Sequence, residues 1–167
     1  MLRSLLSLLL LALLLVPLGL AACSGSSDPT ELTDQGYAAL GKGDYPAAME
    51  AFKDALAKLQ PSDPGFVRAK MGEIEAWIRA DANKAHDEFL ELARSHPEEV
   101  GSREYGTVAN KMVAAQQFMT AIDVLDAGIK AHAEDPKLKA TMDEVKAAAQ
   151  KAGDPEAIKK LQSLGYL

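Results

Sequence analysis

The chain has 167 residues, 48% of them hydrophobic but only 5% aromatic, with one cysteine and one tryptophan. Its 18 Lys and Arg stand against 24 Asp and Glu, a net charge of −6; this argues against nucleic acid, which requires a clustered basic face, and against a basic clamp on lipid headgroups. A lone cysteine allows no intrachain disulfide, so the fold has to stand on packing alone.

In chain order, the first element is a leader. Met1-Leu2-Arg3-Ser4 opens a run that stays apolar through Val16 and closes on Pro17-Leu18-Gly19-Leu20-Ala21-Ala22-Cys23. One positive charge, about a dozen apolar residues and a small-residue cleavage site predict a secretory signal over residues 1–22. The alternative is a transmembrane anchor. Against it, Pro17 and Gly19 interrupt the run, no basic stop-transfer cluster follows, and a span wants about 20 unbroken apolar residues.

Leu20-Ala21-Ala22-Cys23 resembles the lipobox of bacterial lipoproteins; an ordinary signal with a stray cysteine is the competing reading. The resemblance implies diacylglycerol on the Cys23 thiol, cleavage after Ala22 and a third acyl chain on the new amino group. Two or more chains make anchoring durable, each buried methylene contributing about 0.8 kcal/mol. That covalent lipid is the only non-protein group expected, with no cofactor. Ser24 follows the cysteine, where enterobacterial lipoproteins retained in the inner membrane carry aspartate. The resemblance therefore implies the cell envelope, at an outer membrane and facing the periplasm, with surface-exposed and Gram-positive versions left open. Residues 23–28 are a short tether from lipid to fold, and the remainder is long enough for one ordinary domain.

Asp-Pro then punctuates the chain at Asp28-Pro29, Asp63-Pro64, Asp135-Pro136 and Asp154-Pro155, with His96-Pro97 in the gap. Aspartate at the N-cap accepts from free amides, and proline at the first helical position loses no hydrogen bond. These five points are predicted helix starts, the first four 35, 33 and 39 residues apart, which is repeat spacing. Between them run stripes of helical period. The first is Ala47, Ala48, Ala51, Phe52, Ala55, Leu56 and Leu59; then come Val67, Met71, Ile74 and Ile78, and next Ala82, Ala85, Phe89, Leu92 and Ala93. Tyr105, Val108, Ala109 and Met112 lead a fourth, and Phe118, Ala121, Ile122, Leu125 and Ile129 a fifth. Leu138, Met142, Val145 and Ala149 mark a helix from about Pro136 to Ala152, and Ile158, Leu161 and Leu164 a short last one. Nothing alternates as a strand does. The expected fold class is all-α, an antiparallel helix-pair solenoid.

Residues Gly36 to Leu56 resemble a tetratricopeptide repeat. Gly36 matches the small residue where the paired helices cross, Gly43-Asp44-Tyr45 the turn, and Ala48, Phe52 and Ala55 the packing positions of the second helix. A second unit, near Phe66 to Pro97, keeps Gly72, Ala85, Phe89 and Pro97 with a shortened turn. A third, near Ser102 to Pro136, keeps Ala109, Ala121 and Leu125 but has Gly128 where alanine is usual. The resemblance implies about three repeats over residues 29–135, with residues 136–167 as C-terminal capping helices. For the last segment a detachable tail docking in a groove is the alternative.

Catalytic patterns are thin. Gly36 to Gly43 nearly spells a phosphate-binding loop but lacks the serine or threonine after Lys42 and the preceding strand. His86, His96 and His132 have no second ligand at helical spacing, so no metal site is expected. Glu98-Glu99, Asp87-Glu88 and Asp143-Glu144 read as helix-start or solvated charges rather than a carboxylate pair with separated pKa values. No catalytic residue is assigned and an enzyme is not expected. The tetratricopeptide resemblance instead implies a groove lined by the first helix of each pair, taking a protein or peptide partner. Carried over, it presents Thr33 and Tyr37, then Phe66, Ala69, Glu73 and Trp77, then Arg103, Gly106 and Asn110. Trp77 has core packing beside Ile74 and Ile78 as its alternative. The expected function is a membrane-anchored interaction scaffold of the cell envelope. The runner-up is a pilotin-like or barrel-assembly-type lipoprotein dedicated to one component, and an envelope hydrolase is a distant third.

Overall fold

A computed structural model describes residues 28–167; the leader, Cys23 and most of the tether lie outside the described residues. Eight helices occupy the described chain: α1 (Pro29–Gly41), α2 (Tyr45–Leu56), α3 (Phe66–Ala80), α4 (Ala82–Ser95), α5 (Ser102–Ala114), α6 (Phe118–Ala131), α7 (Pro136–Ala152) and α8 (Pro155–Ser163). No strand occurs among these residues. The class is all-α, with each odd-numbered helix folding back on the even one after it through a short turn, as antiparallel neighbours do. The even helices start at 45, 82, 118 and 155, so their spacing is 36 or 37 residues throughout. That period runs through to α8, so α7 and α8 continue the pattern as a short fourth pair.

Aspartate sets most of the starts. Asp28 accepts from the Thr30 amide, Asp135 from Lys137, and Asp154 from Glu156 and Ala157, each with proline at the head of its helix. Asp44 and Asp81 cap α2 and α4 in the same way through the amides of Ala47 and Lys84. Each such cap is worth about 0.5–2 kcal/mol.

Two expected starts move. Asp63-Pro64 does not open α3: the Asp63 carboxylate accepts from the Gln60 amide at 2.7 Å, which closes a turn before the helix. Gly65, at φ +94°, then swings the chain into α3 at Phe66. His96-Pro97 ends α4 rather than starting α5. His96 Nε2 lies 2.9 Å from the Pro61 carbonyl, and its ring stacks on Phe66 at 5.4 Å. Residues 97–101 first bring Val100 into the core, and α5 begins only where the Glu104 carboxylate accepts from the Gly101 amide.

Each pair also packs on the next: α3 against α1 and α2, α5 against α3, and α7 against α5 and α6. The main core runs from Ile74 and Phe89 through Met112, Ile122 and Leu125 to Leu138, Met142 and Leu161. All four expected positions of α7 and all four leading positions of α5 are buried in it. At the N-terminal end the core thins to alanines around Phe52. Fully buried Ala48, Ala55, Ala69 and Ala76 let helices approach closely, and Gly36 and Gly72 let them closer still. A Cβ placed on Gly36 would lie 2.6 Å from the Phe52 ring, and one on Gly72 only 2.3 Å from it. The sequence expectation for Gly36, Ala48, Phe52 and Ala55 therefore coincides with an observed helix crossing.

The last segment is docked. Leu161 and Ala157 are fully buried, Lys160 pairs with Asp123 of α6, and the Tyr166 hydroxyl donates to Asp126 at 3.0 Å. Leu164, expected on the apolar side, is instead 37% exposed, because α8 ends at Ser163 and the chain turns at Gly165 with φ +80°.

Candidate functional site

The odd helices share one face, and three adjoining hollows run along it. The middle one, about 260 Å³, is lined by Tyr37 of α1, Met71, Glu75 and Ile78 of α3, and Thr107, Val108 and Lys111 of α5. A second, toward the start of α5, lies between α5 and α7 and brings together Arg103, Gly106, Asn110, Lys137, Leu138 and Thr141. A third lies toward the end of α5, with Tyr45, Arg79 and Ala114 beside Glu75 and Lys111.

The walls are fastened by bonds between neighbouring odd helices. Tyr37 presses its ring edge on Phe52 at 5.1 Å and donates its hydroxyl to the Arg68 carbonyl at 2.8 Å. The Arg68 guanidinium lies 5.0 Å over the same ring and pairs with Asp34 at 2.7 Å. Burial raises the Tyr37 phenol above its ordinary value, and the Glu75 carboxylate pushes it further. Glu75 and Lys111 form an ion pair across α3 and α5. Ser102 donates to Asp135, joining the start of α5 to that of α7. That bond, with the Lys137 amide, holds the Asp135 carboxyl below the usual range. A carboxylate satisfied in this way acts as a structural tie rather than a base.

The residues expected on the groove separate into three sets. Tyr37, Arg103, Gly106 and Asn110 do line the hollows. Thr33 and Ala69 are buried, Thr33 spending its hydroxyl on the Pro29 carbonyl at 2.7 Å. Phe66, Glu73 and Trp77 lie on the other side of α3, toward α4. Lys70 bridges Glu73 at 2.7 Å and Glu88 of α4 at 2.6 Å, and Lys84 of α4 sits 3.8 Å over the Trp77 ring. Burial pulls the Lys70 ammonium down, but its two carboxylate partners outweigh that and leave it above its ordinary value. Trp77 is half-buried, with its indole N–H enclosed and without a partner among the described residues.

Met71, Glu75, Val108 and Lys111 were not among the expected groove residues. For Glu75 and Lys111 a signal exists in the sequence: Lys111 follows Glu75 by 36 residues, as Arg68 follows Asp34 by 34 and Lys160 follows Asp123 by 37. Opposite charges one repeat apart meet across neighbouring helices. No group of three or more His, Cys, Asp or Glu among the described residues is arranged to hold a metal ion, and no described helix is long and apolar enough to cross a membrane.

Fold and face together define an all-helical array of helix pairs that presents a continuous, partly apolar hollow face. No family model, curated protein or solved structure matches the chain.

Proposed function

We propose that this protein is a lipid-anchored interaction module of the cell envelope, holding a protein or peptide partner along the face of its odd-numbered helices. The observation that carries this reading is the row of adjoining hollows on α1, α3, α5 and α7, apolar at the centre and polar at both ends. The middle hollow, at about 260 Å³, falls below the roughly 300–1,000 Å³ of small-molecule sites. It suits one side chain of a macromolecule, and interface energy concentrates in such central anchor pockets. The short chain between Cys23 and Pro29 ties the first helix pair to the lipid and leaves the hollow face to engage a partner within reach of the membrane.

Site-specific photocrosslinking tests the face. A photoreactive residue at exposed Thr107 is expected to capture a discrete partner in native envelopes, while one at exposed Asn83 on α4 is not. Equal capture at both positions, or none at Thr107, overturns the assignment. The anchor is tested by Cys23→Ala, expected to leave an uncleaved precursor or a protein released from membranes. A mature-sized, membrane-bound variant overturns it.

A further inference from the structure

The chain is acidic overall, with 24 Asp and Glu against 18 Lys and Arg, yet its hollow face is not. Along the three hollows Arg79, Arg103, Lys111 and Lys137 stand against only Glu75 and Asp135. Both carboxylates are engaged, Glu75 by Lys111 and Asp135 by Ser102 and the Lys137 amide. Arg79 and Lys137 have no ion pair among the described residues; Arg79 lies 5.9 Å from the Tyr45 ring. The Arg103 side chain pairs with Glu104 at 2.8 Å but is 89% exposed. On α4 the polarity reverses, where Asp81, Asp87, Glu88 and Glu91 surround Lys84.

These cations are ordered. The hollows succeed one another along α5, from Arg103 through Val108 to Ala114. At 1.5 Å per residue that is a path of roughly 17 Å, which about five extended residues or three turns of helix would cover. Arg103 and Lys137 stand at one end, Arg79 at the other, and the apolar hollow of Tyr37, Met71, Ile78 and Val108 lies between them. Complementary charge steers encounter and rejects like-charged partners, while an apolar anchor holds the complex.

We infer that this face takes an acidic segment of a partner protein, with one leucine- or phenylalanine-sized side chain in the central hollow and carboxylates on either side. This inference rests on the reading of the face as a partner site. The test uses the full-length protein in detergent and three fluorescein-labelled peptide pools. Each pool carries a central Phe or Leu flanked by four positions of Glu, of Gln or of Lys. By anisotropy the Glu pool is expected to bind at least tenfold tighter than the Gln pool. That advantage should collapse at 0.5 M salt, where the screening length falls from about 10 Å toward 3 Å. The exposed double variant Arg103→Gln/Lys137→Gln should lose at least fivefold for the Glu pool with its helical content and melt unchanged. Met71→Glu should weaken binding of the Glu pool at least as much.

Equal affinity for the Glu and Gln pools, a preference for the Lys pool, or indifference to the double variant overturns the inference. If binding is then still abolished by Met71→Glu, the interaction module stands with a partner of other chemistry. Absence of binding by every pool also overturns the acidic partner, while crosslinking at Thr107 decides the module separately.

Discussion

Two helix crossings in this array use an aromatic ring against glycine, with the roles exchanged. In the first pair the ring, Phe52, is on the even helix, and its glycines, Gly36 and Gly72, are on odd helices of two successive pairs. In the third pair the ring, Tyr105, is on the odd helix and Gly128 on the even one. Phe52 turns its far edge to both glycines, the ring atoms that a Cβ built on Gly36 or Gly72 would strike. Tyr105 is touched at its stem, where Cδ1, Cγ and Cβ lie 2.8 to 2.9 Å from a Cβ built on Gly128, and its ring goes on to meet Phe89 edge-on at 4.9 Å. A crossing thus needs one large side chain and one absent one, while the order along the chain is free. What differs is how each can relax: a far edge can be shortened, a stem cannot.

The largest expected effect tests whether the third crossing stands without its C-terminal neighbour. Deleting residues 155–167 removes Leu161, Ala157 and Tyr166 from the main core, and burying one leucine to that degree is alone worth about 2–5 kcal/mol. The truncated chain is expected to melt far lower and to aggregate, because Met142 and Val145 lose their cover. A fully stable truncation with only an altered oligomeric state would make the segment a docking tail. Next comes Phe52→Ala, expected to cost about 3–5 kcal/mol in denaturant unfolding; under 1 kcal/mol would show that the first crossing collapses without its wedge.

The glycines sharpen the contrast. Gly72→Ala and Gly128→Ala should each cost about 1–3 kcal/mol by overpacking, offset by up to about 1 kcal/mol of helix propensity. Phe52→Leu should partly rescue Gly72→Ala, with a coupling of about 0.5–3 kcal/mol in a double-mutant cycle. Tyr105→Leu should not rescue Gly128→Ala, because the contact is at atoms a leucine keeps. Equal rescue at both sites would erase the distinction between edge and stem.

The smallest effect lies beside the third crossing, where Tyr166 meets Asp126 of α6. Burial, then the Asp126 carboxylate, pushes the phenol from 10.0 up to about 12. A raised folded value means the stabilisation is complete below the unfolded value and is lost as pH climbs from about 10 to about 12. Tyr166→Phe should cost roughly 0.5–1.5 kcal/mol at neutral pH and flatten the stability profile across that alkaline window. An unchanged profile would mean that the hydroxyl is not bonded in solution.

Much of this was legible in the sequence, and the failures have separate causes. The stripes of α5 and α7 were read whole because each helix buries one face, and Gly36, Ala48, Phe52 and Ala55 because they match the crossing positions of the repeat they resemble. Starts were right where aspartate had a free amide to accept from, as at Asp28, Asp135 and Asp154, and wrong where its side chain closed a preceding turn, as at Asp63. Of the groove positions carried over from the repeat, Thr33 on α1 and four on α3 fell elsewhere. That helix is covered by α1, α2, α4 and α5 and buries Ala69, Gly72, Ile74, Ala76 and Ile78. A helix buried on several sides offers no single inner face, so positions carried over from the repeat could not separate the side holding Phe66, Glu73 and Trp77 from the side holding Met71 and Glu75.

Phe52 has a consequence for how the array comes apart. Wedged between Gly36 and Gly72, it belongs to two successive helix pairs at once, so the first pair cannot peel off without opening a void beside α3. In a solenoid the linkage between neighbouring units, rather than each unit's own stability, sets how far disorder spreads from an end. The N-terminal end of the described array is therefore latched to the second unit, and tension applied at the start of α1 would be shared with α3 before any single pair gave way.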